Sequence, residues 1–451
     1  MVQNDENVCI LGMGFVGLTL AVVMAECGFN VLGVEINPDV IERLENRDVH
    51  FYEVGLKNRL RRQLDRGRLR FVQHLTEDSA RGCSLFILTV GTPLDKTGNP
   101  RMDMVERAST EVASAMQDGS LVILRSTVRI GTTRRVVKPI LEKSGKSFQL
   151  AYCPERTIEG NALHELRVLP QIVGGLTESD AWRAASVFQH MTPTTLRVSS
   201  LESAEVIKLL DNSYRDLMFA FGNEVALLCE AAGLDAAEII NAGKTGYART
   251  NIANPGFVGG PCLEKDPHIL EHSLRDHEFR PDLIATGRRL NEELPYWVAR
   301  ALSDLLRGVD EADAKIALCG VAFKGRPETD DTRGTPSTIL ADALRTSFPN
   351  AQLVAQDFAV SDDAIRELGI EPASVEEAFR GASAVVIANN NVKYEWLELD
   401  PLLASMARPA VVFDCWGVLK ISPADAPEGV RCVQLGSVRA SSLKEKTECM
   451  S

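Results

Sequence analysis

The feature that most constrains the fold of this chain is a run of glycines near its N-terminal end. The sequence Gly12-Met13-Gly14-Phe15-Val16-Gly17 directly follows an apolar run at residues 8–11. Apolar residues at helical spacing continue to about Cys27, and a second apolar run at residues 30–34 ends at Glu35. Glycines at this spacing between a strand and a helix, with an acidic residue after the next strand, predict a dinucleotide-binding Rossmann unit.

The three glycines of this turn have separate expected roles. Gly12 makes the tight turn, Gly14 lets a pyrophosphate approach the backbone, and Gly17 lets the helix pack against the strand. The helix begins around Phe15 and Val16, so its free backbone N–H groups face the phosphates. The alternative is a glycine-rich turn that binds no ligand.

Glu35 distinguishes between the two common dinucleotides. Its carboxylate is expected to accept hydrogen bonds from the ribose hydroxyls of adenosine. The same negative charge would repel the 2′-phosphate that distinguishes NADP from NAD. The sequence therefore predicts NAD as the cofactor.

Three further apolar runs, each followed by a polar loop, predict buried strands. The runs are residues 85–90, 121–124 and 148–152, and the loops are Gly91-Thr92-Pro93, Arg125-Ser126-Thr127-Val128 and residues 153–160. Because the carboxyl ends of parallel strands share one edge of a sheet, these loops are expected to border the bound cofactor.

Two of these loops carry side chains that suit catalysis. Glu155 and Glu159 lie in the third loop, where two carboxylates beside a nicotinamide suit acid/base chemistry. The alternative is that both are solvated loop charges. Ser126 and Thr127 in the second loop either contact a ligand or cap the next helix.

Residues 202–232 carry apolar residues at helical spacing, with no proline and one glycine, and predict a single long helix. Such a helix is long enough to join two domains and to form a subunit interface. Lys208 and Asn212 are four residues apart, so they project from the same face. The alternative for Lys208 is an ordinary solvated lysine.

A glycine-rich turn at residues 256–266 contains Cys262, followed by Lys265 and Asp266. Glycine lets the backbone approach a ligand closely, so the thiol is placed where a substrate reaches it. A thiolate is a strong nucleophile, and a neighbouring cation makes it more available. The alternative is a small buried cysteine in a tight turn.

A second α/β pattern begins after a boundary at residues 307–310, with predicted strands at residues 315–320, 352–355, 384–388 and 410–414. Its first turn lacks the glycine spacing of the N-terminal one, so it is not expected to bind a dinucleotide pyrophosphate in the usual way. Charged side chains around this turn suit a nucleotide-bearing substrate, and the alternative is an interdomain network of salt bridges. These side chains are Lys324, Arg326, Asp330, Asp331 and Arg333.

Charge and cysteine usage narrow the range of partners. The formal net charge of −13 at pH 7 argues against nucleic acid or an anionic membrane as a partner. The ten cysteines are scattered without metal-ligand spacing, so neither a metal site nor a disulfide framework is expected. We find neither a secretory signal nor an apolar run of about 18 residues that would span a membrane, and expect a cytoplasmic protein.

Taken together and in this order, the motifs resemble those of the UDP-glucose/GDP-mannose dehydrogenase family, the nucleotide-sugar 6-dehydrogenases. The resemblance covers about residues 7–435. The motifs that carry it are residues 12–17, Gly91-Thr92-Pro93, Ser126-Thr127, Pro154-Glu155, Glu159-Gly160, Lys208 with Asn212, residues 259–266, Ala322-Phe323-Lys324 and Asp331-Thr332-Arg333. It implies NAD-dependent, metal-independent oxidation of a sugar's primary alcohol to the uronic acid.

The resemblance implies a catalytic role for several candidates. Cys262 is similar to the family's nucleophile, which holds the sugar as a thiohemiacetal and then as a thioester. Lys208 and Asp266 resemble the pair that handles protons and polarises the oxygen on C6. Asn212 resembles an oxyanion-type donor near that oxygen.

The other implied roles concern water and binding. Thr127 and Glu155 resemble the residues that place the hydrolytic water and remove protons. Beyond the glycine turn and Glu35, the implied cofactor contacts are Thr92, Thr127, Lys265 and Arg333. The implied contacts to the nucleotide sugar are Glu155, Arg156, Glu159, Lys208, Asn212, Gly259 and Lys324.

The predicted fold class is α/β, with two Rossmann-like parallel-sheet domains joined by a central helical domain built on the long helix. The predicted bounds are residues 1–198 for the NAD-binding domain, 199–308 for the central dimerisation domain, 309–438 for the nucleotide-sugar-binding domain and 439–451 for a disordered tail. A homodimer or a higher homo-oligomer is expected.

Two positions depart from the family pattern. Many members carry an arginine in the final loop, where this chain has Asp414-Cys415-Trp416-Gly417. The resemblance therefore does not extend to the part of the diphosphate or nicotinamide-side contact that this arginine makes. Val54 stands where the family often has proline.

The motifs constrain the identity of the sugar less than they constrain the type of reaction. Arg156 and residues 161–166 resemble the branch that oxidises N-acetylated sugars, UDP-N-acetylmannosamine especially. The first alternative is a UDP-glucose 6-dehydrogenase. Others are a single-step hydroxyacid or 6-phosphogluconate-type dehydrogenase, which would lack the cysteine turn and the third domain, and a non-catalytic NAD-binding sensor.

Overall fold

The computed structural model describes residues 6–275, 278–310, 314–421 and 426–439. Within these ranges the chain forms two compact units. The first is Met1–Asn212 with His268–Arg280, and the second is Ser213–Pro267 with Pro281–Ser451. The predicted tail, apart from Arg439, lies outside the described residues.

The first unit is built on an eight-stranded sheet in the order β3-β2-β1-β4-β5-β6-β7-β8. The strands are β1 (Asn7–Leu11), β2 (Asn30–Val34), β3 (Leu69–Val72), β4 (Cys83–Leu88), β5 (Ser120–Leu124), β6 (Phe148–Tyr152), β7 (Gln171–Gly175) and β8 (Thr195–Val198). The strand order reverses between β1 and β4, the point where a doubly wound sheet opens a crevice at its carboxyl edge.

Helices cover both faces of this sheet. They are α1 (Phe15–Glu26), α2 (Pro38–Glu45), α3 (Leu56–Asp65), α4 (Asp103–Ala115), α5 (Lys138–Glu142), α6 (Ala162–Val168) and α7 (Glu178–Phe188). The central strands β1, β4 and β5 are apolar at residues 8–11, 85–88 and 121–124, as expected for strands that are buried on both faces. Helix α1 is buried from Gly17 to Ala25, and its one polar residue there, Thr19, donates to the Phe15 carbonyl at 2.6 Å.

One junction in the sheet differs from the all-parallel arrangement that the sequence predicts. Strand β7 runs antiparallel to β6, and the other neighbours are parallel. A parallel crossover returns the chain to the amino edge of the sheet, usually through a long helix. Here the loop at residues 153–161 stays at the carboxyl edge, and only the short α6 follows it. Strand β7 therefore starts near the edge where β6 ends.

Helix α8 spans Leu201–Ala232 and confirms the predicted long helix to within one residue. Residues up to Asn212 belong to the first unit, and residues from Ser213 belong to the second. Lys208 and Asn212 therefore belong to the first unit, which contains the eight-stranded sheet.

The second unit contains a six-stranded, all-parallel sheet in the order β11-β10-β9-β12-β13-β14. Its strands are β9 (Lys315–Cys319), β10 (Gln352–Gln356), β11 (Glu371–Pro372), β12 (Ala384–Ile387), β13 (Ala410–Asp414) and β14 (Val430–Gln434). The helices that follow α8 are α9 (Ala236–Lys244), α10 (Gly260–Leu263), α11 (Asp266–Leu274, with residues in both units), α12 (Asp282–Leu305), α13 (Pro336–Ser347), α14 (Asp362–Glu367), α15 (Val375–Phe379) and α16 (Leu399–Ala404).

Across the described ranges, we find no helix that combines the length and the apolarity needed to cross a bilayer.

Candidate active site

The glycine turn between β1 and α1 has the geometry of a phosphate-binding turn. Gly12 has a φ of 92°, which favours glycine. A Cβ on Gly17 would overlap the carbonyl oxygen of Gly12, so helix and turn pack with no room for a side chain. A Cβ on Gly14 would meet nothing within 4 Å, so this face of the turn is open to a ligand. The turn therefore fits the pyrophosphate of NAD.

Glu35 follows β2 and is tied to the same turn. Its Oε2 accepts a hydrogen bond from the Met13 amide at 2.8 Å, and its Oε1 accepts one from the Asn37 amide at 3.0 Å. The carboxylate is therefore held beside the glycine turn, at the carboxyl end of β2. This is the position from which a carboxylate reaches the adenosine ribose.

We expect Glu35 to set the preference for NAD over NADP. Like charges brought together in a binding site cost several kcal/mol, so kcat/KM should favour NAD by on the order of 10²-fold. Glu35→Ser should narrow that ratio at least about tenfold, which corresponds to about 1.4 kcal/mol. Steady-state rates with both cofactors test this, with Glu45→Gln, an exposed carboxylate on α2, as the control. Equal or better kcat/KM with NADP in the unaltered enzyme would contradict the assignment.

Thr92 and Thr127 meet at the carboxyl edge of the first sheet. The Thr92 hydroxyl donates to the Thr127 carbonyl at 2.6 Å, and the Ser126 hydroxyl donates to the Val90 carbonyl at 2.6 Å. These bonds join the loops after β4 and β5, as the strand-end argument predicts. Ser126 therefore joins the two loops. Thr127 lies at this edge of the sheet, where it would contact a bound ligand.

Glu155, the predicted water-placing residue, is buried against an arginine that the sequence argument did not single out. The Arg125 Nη2 lies 2.6 Å from Oε2 of Glu155, and Nε of the same arginine lies 3.1 Å from it. Oε1 of Glu155 accepts from the amides of Arg156 and Thr157 at 2.8 and 2.9 Å. Burial would raise the pKa of Glu155, but the Arg125 charge and these hydrogen bonds outweigh it and hold the pKa below its usual value.

The ion pair with Arg125 limits the chemistry that Glu155 can perform. A carboxylate with a lowered pKa and both oxygens engaged is a weak proton acceptor near neutral pH. The arrangement therefore favours a role in fixing the loop and orienting water over a role in removing protons. Arg125 also donates to the Cys153 carbonyl at 3.0 Å and to Gln171 Oε1 at 2.8 Å, so one guanidinium joins β5, β6 and β7.

Lys208 and Asn212 are buried on α8, with 7% and 8% of their surface exposed. Burial argues against the alternative of an ordinary solvated lysine. The Lys208 charge acts on Glu155 and helps to lower the pKa of that carboxyl. The structure thus brings Lys208 near the strand-end loops of its own unit.

The loop that carries Arg156 and Glu159 is pinned at several points. Arg156 forms an ion pair with Asp211 at 3.2 Å and donates to the Pro170 carbonyl at 3.0 Å. Glu53, which precedes Val54, accepts from the Gly160 amide at 2.7 Å. Glu159 is half-buried in the middle of this loop. The ordered backbone suits a loop that recognises a substrate.

In the second unit, the Cys262 turn presents an exposed thiol. Cys262 lies in the four-residue helix α10 and is exposed, which argues against the alternative of a buried turn cysteine. Lys265 Nζ lies 2.8 Å from Oδ1 of Asp266, a carboxylate with no exposed surface. Burial would lower the pKa of Lys265, but Asp266 and Cys262 together raise it, so the lysine stays cationic beside the thiol. Such a cation favours the thiolate.

The same turn packs closely on the first loop of the C-terminal sheet. The Gly260 amide donates to the Gly334 carbonyl at 2.8 Å. A Cβ on Gly259 would overlap that carbonyl, and a Cβ on Gly260 would overlap the Phe323 ring. The glycines are therefore needed for close backbone approach, and they bring the thiol next to the predicted nucleotide-sugar loop.

The two arginines in the loop after β9 form ion pairs within the second unit. Arg333 forms a two-pronged pair with Asp331, with Nε to Oδ1 at 2.9 Å and Nη2 to Oδ2 at 2.6 Å. Arg326 is paired with Glu395. Lys324 lies over the Phe323 ring, with Nζ 5.4 Å from its centroid. Arg333 also acts electrostatically on Lys265, which places the Arg333 charge near the lysine beside the thiol.

The first turn of the C-terminal sheet is bonded to the carboxylate that follows β10, much as the N-terminal turn is bonded to Glu35 after β2. Asp357 follows β10, and its Oδ2 accepts from the amides of Val321 and Ala322 at 2.7 and 3.0 Å. Gly320-Val321-Ala322 lacks the glycine spacing of residues 12–17. That this turn does not bind a dinucleotide pyrophosphate in the usual way therefore stays a prediction from the sequence.

Trp416, which replaces the arginine frequent in the family, has a packing role in this chain. Its Nε1 donates to the Ala388 carbonyl at 3.1 Å, and a Cβ on Gly256 would overlap its indole ring. Asp414 holds the loop by accepting from the Trp416 and Gly417 amides at 3.0 and 2.8 Å. An apolar ring therefore covers the backbone at the start of the cysteine turn.

Comparison with known proteins agrees with this arrangement. Models of three domains of the UDP-glucose/GDP-mannose dehydrogenase family match the chain: the NAD binding domain at residues 6–192, the central domain at residues 202–293 and the UDP binding domain at residues 317–421. The chain is similar to a UDP-N-acetyl-D-mannosamine dehydrogenase of Pyrococcus horikoshii, with 31% identity over 425 residues that cover 92% of this chain and 97% of the relative.

Two solved structures, which are named for different UDP-sugars, resemble this chain about equally well. A UDP-D-ManNAc dehydrogenase from Pyrococcus horikoshii has a TM-score of 0.86 at 29% identity and covers 96% of this chain and 100% of that one. A UDP-glucose dehydrogenase from Pyrobaculum islandicum has a TM-score of 0.85 at 26% identity and covers 97% and 98%. The two scores are nearly equal, so the fold by itself does not identify the sugar.

Proposed function

Because the chain belongs to the UDP-glucose/GDP-mannose dehydrogenase family, we propose that it oxidises C6 of UDP-N-acetylmannosamine to the uronic acid in two successive two-electron steps. The chain is an NAD-dependent nucleotide-sugar dehydrogenase, an oxidoreductase with a UDP binding domain. The four-electron course, the residue roles and the identity of the sugar are our proposal.

The observation that carries the proposal is the exposed Cys262 thiol beside the Lys265–Asp266 pair. An alcohol dehydrogenase that stops at the aldehyde needs no nucleophile. A thiol next to the half-buried Lys265 cation suits covalent capture of an aldehyde, because the cation favours the thiolate and the thiolate is the reactive form.

The first oxidation converts the C6 alcohol to an aldehyde. C6 would lose one hydride to a bound NAD in each of the two oxidations, and a fresh NAD would replace the NADH between them. In the first, the hydroxyl also loses a proton, and we assign this proton transfer to Lys208 and Asp266. Asn212 donates a hydrogen bond to the C6 oxygen as negative charge develops on it.

The second oxidation takes place on the enzyme-bound sugar. The Cys262 sulfur adds to the aldehyde carbon and the oxygen gains a proton, which gives a thiohemiacetal. Loss of a hydride and a proton converts this to a thioester. Water then attacks the acyl carbon, the C–S bond breaks, and the uronic acid leaves with the thiol regenerated. Thr127 and Glu155 orient this water in our assignment.

The remaining assignments concern binding. We propose that the sugar nucleotide is held by Arg156, Glu159, Gly259 and Lys324, with Lys208, Asn212 and Glu155 close to C6. Thr92, Thr127, Lys265 and Arg333 complete the cofactor contacts. We also propose three domains at residues 1–198, 199–308 and 309–438, and a cytoplasmic location. The three matched family domains support the division of the chain.

The identity of the sugar rests on two supports. The Pyrococcus relative named above as a UDP-N-acetyl-D-mannosamine dehydrogenase covers nearly the whole chain. Arg156, in the pinned loop after β6, matches the pattern of that branch. UDP-glucose is the rival substrate.

We expect a panel of nucleotide sugars to separate these substrates. NADH formation with UDP-N-acetylmannosamine should give the highest kcat/KM among that sugar, UDP-N-acetylglucosamine, UDP-glucose and GDP-mannose. A pocket built to bind an N-acetyl group discriminates against a sugar without it, because its polar groups are then left unpaired. A higher kcat/KM with UDP-glucose would overturn the assignment of the sugar and leave the reaction type in place.

We also propose that the working unit is at least a dimer formed through α8. Tyr214, Phe221 and Leu228 recur every seven residues on this helix and are 64%, 53% and 59% exposed. Monomeric proteins rarely expose a contiguous apolar stripe. Sedimentation at micromolar concentration should show a dimer or larger species, and Phe221→Glu should dissociate it. The control Trp396→Glu, at a side chain that is 72% exposed outside this stripe, should not. A fully active monomer would contradict the proposal.

A further inference from the structure

A buried polar network connects helices α8 and α12 in the second unit. It consists of Asp216 and Asn223 on α8 and Arg288 and Asn291 on α12. Their exposed fractions are 1%, 0%, 3% and 1%. Buried polar groups of this kind are costly unless each is hydrogen-bonded, so their partners are informative.

Asn223 binds the backbone at the start of the cysteine turn. Its Nδ2 donates to the Gly256 carbonyl at 3.0 Å, and its Oδ1 accepts from the Gly256 amide at 2.8 Å. One side-chain amide therefore satisfies both backbone groups of a single residue. This fixes the position and the orientation of the peptide at Gly256.

Arg288 binds the same turn on both sides of Cys262. Its Nη2 donates to the Val258 carbonyl at 3.2 Å, and its Nη1 donates to the Leu263 carbonyl at 3.0 Å. The charge of Arg288 is balanced by buried Asp216, whose Oδ1 lies 2.7 Å from Nη1, and by half-exposed Glu292, whose Oε1 lies 3.2 Å from Nε. The guanidinium thus acts as a fork that spans the segment containing the thiol.

Asn291 joins the two anchors into one network. Its Oδ1 accepts from Asn223 Nδ2 at 2.9 Å, and its Nδ2 donates to the backbone carbonyl and to Oδ1 of Asp216, both at 3.0 Å. The turn is therefore held at Gly256, Val258 and Leu263 by one continuous set of side chains.

The turn needs such support because it has little regular structure of its own. Between residues 256 and 265 its regular structure is the four-residue helix α10, and Gly256, Gly259 and Gly260 allow the backbone a wide range of conformations. The contacts of the network go to the backbone, while the Cys262 side chain stays exposed. The network therefore constrains where the thiol lies without covering it.

We propose that Asp216, Asn223, Arg288 and Asn291 are positioning residues that hold Cys262 in place for attack on the aldehyde. This inference rests on the nucleophilic role proposed above for Cys262. A displacement of about 1 Å at a reacting group can cost about 10²-fold in rate, so a loosened turn should slow thiohemiacetal formation. An aldehyde that is trapped slowly has time to leave the enzyme.

The test uses Arg288→Lys, which keeps the positive charge beside Asp216 but replaces the planar fork with a single ammonium. The matched control is Arg408→Lys, since Arg408 also donates to backbone carbonyls, those of Met406 and Leu403, in another loop of the same unit. If Arg288→Lys does not fold, the double variant Asp216→Leu with Arg288→Met removes both charges together, an exchange that buried ion pairs tolerate.

Two readouts report on the thiol itself. Peptide mass spectrometry follows the rate of Cys262 alkylation by iodoacetamide across pH, without substrate or cofactor. The second readout is the fraction of the first oxidation product that semicarbazide captures as free aldehyde during turnover. A loss of folded enzyme lowers the amount of product but leaves the captured aldehyde fraction unchanged. Unfolded enzyme is alkylated in a separate kinetic phase, at the rate of an ordinary cysteine, so the rate constant is taken from the phase of the folded enzyme.

We expect Arg288→Lys to slow Cys262 alkylation about tenfold, to move the midpoint of its pH profile upward and to raise the captured aldehyde fraction, with the KM for NAD unchanged. Arg408→Lys should match the unaltered enzyme. An unchanged alkylation profile and no captured aldehyde in Arg288→Lys would overturn this inference. Near-normal acid formation by Cys262→Ala would instead overturn the proposed function, so the two failures are distinguishable.

Discussion

Replacing Cys262 by alanine should lower uronic acid formation by several powers of ten while cofactor binding is retained. The NAD turn at Gly12–Gly17 lies in the first unit and Cys262 in the second, so the substitution leaves this turn unchanged. Lys265 and Arg333 keep their ion pairs with Asp266 and Asp331. The first oxidation needs only a hydride acceptor and a proton acceptor and should survive weakly. The second needs the thiohemiacetal, so acid formation should be lost, as when a catalytic nucleophile is removed.

Two further variants sharpen this prediction. Cys262→Ser should also fail, because a serine hydroxyl is scarcely ionised near neutral pH, and any ester that forms should accumulate as an adduct visible by intact-protein mass spectrometry. Cys27→Ala, which removes a half-buried thiol at the end of α1, should leave acid formation unchanged. Near-normal acid from Cys262→Ala would mean that Cys262 is only a turn residue.

Replacing Lys208 by methionine should lower kcat for NADH formation by about 10²–10⁴-fold, the range for losing a general acid/base or an oxyanion-stabilising group. Methionine has a similar length, so the buried stem of the side chain keeps its packing. Both oxidations develop charge on the C6 oxygen, and both should slow. The measurement is single-turnover NADH formation with saturating sugar nucleotide.

The control for Lys208 is Lys244→Met on α9, where the ammonium makes an exposed hydrogen bond to Asn254 at 3.1 Å. This variant should retain the kcat of the unaltered enzyme. A Lys208→Met enzyme with nearly normal single-turnover rates would remove Lys208 from the chemistry and return it to a structural role beside Glu155.

The buried central elements of the fold are predictable from the sequence. The predicted strands at residues 30–34, 148–152 and 410–414 agree with the structure at both ends. The strand predicted at residues 85–90 spans Cys83–Leu88, so it was placed two residues too late. After Leu88, the Thr89 side chain donates to the Leu11 and Gly12 carbonyls, both at 2.8 Å. Runs of apolar residues identify strands that are buried on both faces.

The two edge strands of the first sheet were not predicted from the sequence. Strands β3 and β8 end this sheet, and each carries an arginine, Arg70 and Arg197, among half-exposed residues. An edge strand is only partly buried, so its sequence lacks a continuous apolar run. Strand β7 was missed because its residues, Gln171–Gly175, include a buried glutamine and two glycines.

The candidate residues of the site could be predicted where a local pattern marks them. The glycine turn, the strand-end loops and the cysteine turn each occupy a few consecutive residues. Their partners could not be predicted, since Arg125 and Glu155 are 30 residues apart and Asp216 and Arg288 are 72 apart. No local spacing encodes such pairs, and only the fold brings them together.

The most direct test of the account is the ratio of NADH to uronic acid during turnover of the unaltered enzyme. Absorbance gives NADH, and mass spectrometry gives the sugar alcohol, aldehyde and acid in the same samples. The account predicts two NADH for each uronic acid, with no free aldehyde at any time point. One NADH for each sugar consumed, with aldehyde as the final product, would contradict the covalent four-electron mechanism.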